Sequence, residues 1–167
     1  MAGQVEPWLR GKLPELDALR RGVLHALELA AEDVVRWCEG LSEEELEARP
    51  FGVASVGFHL RHIARSLDRL LTYAEGATLT ALQMEKLKSE MDSGGRDKTM
   101  MEFAEGIEVA GVRVRRLLPE SYEAARGVGK KMLPTTVGGL LVHCAEHTQR
   151  HVGQAVTTAK IVVGMRG

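Results

Sequence analysis

Four stretches of this chain place apolar residues at three- and four-residue steps, and none alternates in the manner of a half-buried strand. In the first, about residues 15–38, Leu16, Leu19, Val23, Leu27, Ala30, Val34 and Trp37 form one stripe, and Gly40 stands where a helix should stop. The second runs over about residues 54–74 and carries Val56, Leu60, Ile63, Leu67, Leu70, Leu71 and Ala74 on one face. The third spans about residues 99–118, halting before Pro119, with Gly106 and Gly111 lowering its helix propensity. The fourth, about residues 137–162, is capped by Thr135 or Thr136 behind Pro134. Four helices, each with one apolar face, have to bury those faces against one another. The expectation is an all-α four-helix bundle without strands.

Shorter pieces fill the connections. Ser42 and Glu45 have capping-box spacing, so residues 42–49 read as a short helix, broken by Pro50 and Gly52. Residues 79–91 are a further helix candidate, and 92–97 form the most loop-like segment, a mobile one by composition. Because the connection after the second long helix is long and holds its own helix, a crossover is expected in place of simple up-down-up-down order. The 167 residues suffice for one domain, 1–167, with its core over about 15–162.

Composition excludes some function classes. Net charge is −1 and aromatics make up 4%, with no basic stripe, so nucleic acid is not an expected partner. No apolar run is long enough to span a bilayer, and no signal-peptide pattern opens the chain. Cys38 and Cys144 make no disulfide framework, which fits a cytoplasmic setting.

Five of the six histidines fall in two clusters on two different helices. At about 100° per residue, His143, His147 and His151 step round the last helix by about 40° each. His147 and His151 lie on successive turns, roughly 6 Å apart along the axis, which is the spacing of helical zinc motifs. Cys144, Gln154 and Thr158 fall on or beside that face, and buried polar groups need partners. The second helix offers His59 and His62, on a flank shared with Ser55, Ser66 and Tyr73. One further ligand from here would complete a three-histidine set. Periodicity leaves the choice open, with His59 slightly nearer the apolar centre.

The block Ala54-Ser55-Val56-Gly57-Phe58-His59-Leu60-Arg61-His62-Ile63 resembles the second helix of DinB-like proteins. The block His147-Thr148-Gln149-Arg150-His151-Val152-Gly153-Gln154 resembles their closing HxxxHxGQ signature. The stretch from Leu41 through Pro50 is similar to the family's link between its first two helices. The resemblance implies a four-helix bundle, a homodimer, and a divalent metal held by His62, His147 and His151. It also implies a transferase or isomerase that uses a low-molecular-weight thiol such as bacillithiol or mycothiol on a small-molecule substrate.

Three neutral imidazoles leave an ion with open positions, as catalytic sites do, for a water or a thiolate. Zinc, nickel, iron and manganese all suit the donor set. Two alternatives stand beside the thiol-dependent enzyme: metal-dependent hydrolysis with water as nucleophile, and a non-catalytic metal- or ligand-binding dimeric module. His59 and His143 read as polar neighbours of the site more readily than as a fourth ligand or outer partner. His25 reads as an ordinary flank histidine, and Cys38 as packing. Cys144 reads as packing before it reads as soft ligand or nucleophile. Glu146 points away from the proposed ligands by helical angle. Tyr73, Gln154 and the 92–97 loop are candidates for shaping a pocket.

Overall fold

The computed structural model describes residues 5–166. Its long helices are α1 (Ala18–Cys38), α3 (Val56–Ala74), α5 (Arg96–Arg116) and α6 (Val137–Gly164). Two short helices, α2 (Glu43–Glu47) and α4 (Ala81–Lys88), lie in the connections. None of the described helices is long and apolar enough to cross a membrane.

Helix starts follow the local chemistry of their caps. Asp17 accepts from the backbone N–H groups of Leu19 and Arg20, so α1 begins three residues later than its apolar pattern. Ser42 and Glu45 form the expected capping box, and Thr80 and Gln83 form a second one at α4. Ser55 caps α3 through Phe58 N–H, and Thr136 caps α6 through Gly139 N–H.

The cross-links between helices fix their directions. His59 faces His151 and His62 faces His147, so α3 and α6 are antiparallel. Arg61 reaches Thr99, Arg65 reaches Glu102 and Arg113 reaches Asp68, so α3 and α5 are parallel. Gln149 donates to the Ala26 carbonyl and Arg166 to that of Gly40, so α1 and α6 are parallel. The order is up-down-down-up. Two parallel neighbours need a connection that travels back along a helix, roughly 28 Å for α3. Residues 75–95, with α4, make that crossover, as the long connection foretold.

The core is the sum of the four stripes. Leu27, Val34, Leu60, Ile63, Leu67, Leu71, Val114 and Leu141 are all at most 2% exposed. The bundle is tightest where α3 meets α5. A Cβ on Gly106 would stand 2.7 Å from Ala64 Cβ, so this glycine permits an approach that any side chain would block. Trp37 departs from its expected place in the stripe. It is 38% exposed at the end of α1, with the Lys160 ammonium 4.0 Å above its ring.

The expectation of no strands is corrected. β1 (Ala125–Val128) and β2 (Leu133–Thr136) form an antiparallel hairpin between α5 and α6. Each strand has four residues, with Gly127 and Pro134 paired inside, so no alternating apolar pattern could announce them.

Candidate metal centre

The site lies where the N-terminal half of α3 faces the middle of α6. His62 stands one turn beyond His59 on α3, and His147 and His151 stand on adjacent turns of α6. Because the helices are antiparallel, the two pairs meet. One nitrogen from each of His62, His147 and His151 lies within 4.8 Å of the others. His62 Nε2 is 3.2 Å from His147 Nε2. The ring of His151 stands 4.4 Å from that of His62 and 4.5 Å from that of His147, centre to centre.

This spacing suits an ion. Two nitrogens bound to zinc at about 2.05 Å and the tetrahedral angle stand about 3.3 Å apart. Protonation also suits it. Burial comes first among the causes, and the neighbouring His62 second, in pushing His147 down to about 4 and His151 down to about 3. Both rings are therefore neutral near pH 7, with a lone pair to give. The arrangement could hold a divalent metal ion.

Each side of the cluster has an outer partner. His62 Nδ1 lies 2.8 Å from Glu90 Oε2, and the other Glu90 oxygen accepts from Arg69 at 2.7 Å. Burial works against the Glu90 carboxylate, but its hydrogen bonds with His62 and Arg69 outweigh that, and its pKa lies below the usual value. An ionised Glu90 accepts a hydrogen bond from His62 Nδ1–H, the tautomer that leaves Nε2 free to ligate. On the other side, His59 Nδ1 is 3.0 Å from His151 Nδ1. Burial, then the charge of His62, pushes His59 down to about 4, so this ring also stays neutral. A neutral His151 that ligates through Nε2 carries its proton on Nδ1 and donates it to His59. Phe58 stacks on His62, ring centres 5.4 Å apart, and shields one flank.

Neither Glu90 nor His59 was assigned this place by sequence. His59 carried a signal, the proximity of one turn, but was read as a polar neighbour. Glu90 carried none, because it sits in the turn after α4, on the crossover. Arg61 was also missed. It is 1% exposed, pairs with Glu47, bonds Thr99 and donates to the Glu90 carbonyl, tying the crossover to α3.

The remaining candidates lie apart from the cluster. His143 is half-buried and bonded to Glu146 at 2.6 Å, and its ring is 5.3 Å from that of His147. Cys144 is fully buried in the core, where burial pushes its thiol up to about 12, and Cys38 is likewise buried and pushed up to about 11. Neither is a thiolate, and both are free. His25 is buried, with Nε2 unpartnered among the described residues. Thr158 is buried and donates to the Ala54 carbonyl, while Gln154 is exposed and lines a hollow beside His59. Tyr73 is about three turns beyond His62 on α3, against the hairpin, and does not meet the histidines. Residues 89–95 form a turn and loop, and Arg96 and Asp97 already belong to α5.

A family model described as the DinB superfamily matches residues 26–155. No curated protein and no solved structure matches the chain.

Proposed function

Starting from the fact that this chain belongs to the DinB superfamily, we propose that it is a divalent-metal-dependent enzyme acting with a low-molecular-weight thiol. His62, His147 and His151 are the proposed ligands. The observation that carries the reading is the convergence of three imidazole nitrogens from two helices within 4.8 Å. Three protein donors leave positions open for an incoming group, as in catalytic sites. When bound, the ion supplies Lewis acidity that favours the deprotonated form of an incoming thiol.

The chain's own residues do the rest. Glu90 and His59 hold His62 and His151 in the tautomers that keep a nitrogen free. Phe58 excludes water from one side of His62. Among the described residues neither cysteine can serve as nucleophile there, since Cys144 and Cys38 are both buried with their thiols pushed up. That favours an exogenous nucleophile. Hydrolysis is the weaker reading, because both oxygens of Glu90, the acid bonded to His62, are already engaged. The same family resemblance supports a homodimer, and the two free cysteines suit a reducing, cytoplasmic setting. Light scattering would test the first and thiol titration of freshly lysed cells the second.

The test is metal analysis of the purified protein and of a His147→Ala His151→Ala double variant, with thiol-transfer assays on both. Near-stoichiometric metal that disappears in the variant, together with turnover that needs both metal and added thiol, is expected. Equal metal in both proteins would remove the site. Ester turnover without thiol would establish hydrolysis instead, and a metal-loaded protein without turnover would be a binding module.

A further inference from the structure

Away from the histidines, the C-terminal end of α3, the start of the crossover, α4 and the hairpin enclose a cavity of about 610 Å³. This is the size range of small-molecule sites, about 300–1,000 Å³. Tyr73 stands roughly 16 Å further along α3 than His62, so the cavity and the metal cluster are separate places.

Its walls are apolar, from Tyr73, Leu79, Met84, Leu87 and Met132. The only charged residues that line it are cations, Arg126 and Lys130. Arg126 is held in position from two sides. Its Nε donates to the Ala74 carbonyl at 2.9 Å, and its Nη1 donates to the Ala125 carbonyl at 2.9 Å. Among the described residues no carboxylate pairs with it. Arg113 and Arg69, elsewhere on the bundle, do have acids, at 2.7–2.8 Å. A guanidinium fixed by carbonyls and without a carboxylate partner has its remaining donors aimed by a rigid fork, which is what carboxylate recognition needs. The mouth adds a second observation. Leu87 is 40% and Met132 68% exposed, and Met132 adopts a left-handed backbone (φ 49°), a conformation that a non-glycine residue holds only at a cost. Exposed apolar side chains rimmed by charge mark ligand grooves.

The geometry points to a second binding site for a free small monocarboxylate with an unbranched apolar tail, the tail between α4 and the hairpin and the head on Arg126. It does not depend on the metal reading. The clip from Arg126 to α3 ties the hairpin to the bundle, and the same residue that ties it presents the charge.

Calorimetric titration of the full-length protein, as purified, with octanoate and with 1-octanol tests the proposal. Octanoate should bind saturably and at least tenfold more tightly than the alcohol. The Arg126→Gln variant keeps a donor for the Ala74 carbonyl and should lose that preference. Leu87→Asp changes an already exposed wall residue and should weaken octanoate at least tenfold, which covers the case in which the arginine variant fails to fold. The His147→Ala His151→Ala variant should bind octanoate as the parent does. Equal binding of acid and alcohol, no saturation with octanoate, or loss of binding in the histidine variant would each overturn the site. So would co-sedimentation with phosphatidylglycerol vesicles in the absence of octanoate binding, which would make the patch a membrane contact.

Discussion

Replacing Glu90 by glutamine keeps the shape of the side chain and removes its charge. Glu90 accepts from His62 at 2.8 Å and from Arg69 at 2.7 Å, and it is 6% exposed, so water cannot stand in for it. A hydrogen bond to a charged group is worth about 1.5–3 kcal/mol net and a neutral one about 0.5–1.5. The substitution therefore weakens the hold on the His62 proton by about 1–1.5 kcal/mol, which is roughly a five- to tenfold loss in affinity for a metal that His62 ligates. Arg69, no longer balanced, adds repulsion toward a dication. The expected total is about tenfold or more, within the about 10–100-fold range of such outer partners. Competition of apo-protein with a chromophoric chelator at fixed pH measures it directly. Glu102→Gln is the control. Its carboxylate pairs with Arg65 at 2.8 Å and touches no histidine, so it should lower the melting temperature without changing metal affinity. If Glu90→Gln binds metal within twofold of the parent while remaining folded, the carboxylate has no part in ligation. The account of how His62 is prepared is then wrong.

Gly106→Val should destabilise the bundle by about 1–3 kcal/mol by overpacking against Ala64, read as a melting-temperature drop of about 2–4 °C per kcal/mol; an unchanged temperature would mean that α3 and α5 can separate freely. Glu47→Ala should cost about 3–5 kcal/mol in denaturant unfolding, because it strands the charge of Arg61, which is 1% exposed. Asp17 supplies an acid-dependent contribution. Burial raises its pKa, but hydrogen bonds from Arg20 and Tyr122 outweigh this and bring it down to about 2 from 3.8. Its stabilisation is thus full above the unfolded value and is lost as pH falls through about 4 to 2. The parent and Asp17→Asn should accordingly differ in stability at pH 7 and converge near pH 2, and a difference that persists unchanged at low pH would rule this linkage out. Adding saturating zinc or nickel to apo-protein should raise the melting temperature in proportion to the logarithm of metal concentration, and the His147→Ala His151→Ala variant should show no rise.

What could be read from the sequence is what repeats. The stripes of α1, α3, α5 and α6 recur every three or four residues, and Ser42 and Thr136 mark starts by chemistry that acts within one turn. The pairing of His147 with His151 is likewise a property of one helix, visible at a spacing of four. The hairpin was hidden because its strands hold Gly127 and Pro134 and bury little, so no period exists to be seen. Trp37 obeyed the stripe in spacing but fell at the last turn, where α1 has outrun the core and Lys160 takes over the ring.

The same division explains the histidine cluster. His62 and His59 differ by about 60° on α3 at the helical 100° per residue, too little for periodicity to say which faces α6 more directly. The structure turns both toward α6 at different depths, His62 against His147 and the more buried His59 against the far nitrogen of His151. Their roles separate through protonation, because a ring that receives a proton from its neighbour leaves that neighbour's other nitrogen free. Glu90 does for His62 what His59 does for His151, yet it comes from a segment with no pattern, delivered by the crossover and pinned there by Arg61 and Arg69. Donor atoms are thus written in helical spacing, whereas the groups that set their protonation depend on how a non-helical connection is anchored. Changes in the crossover should therefore alter affinity at the histidines before they alter the bundle.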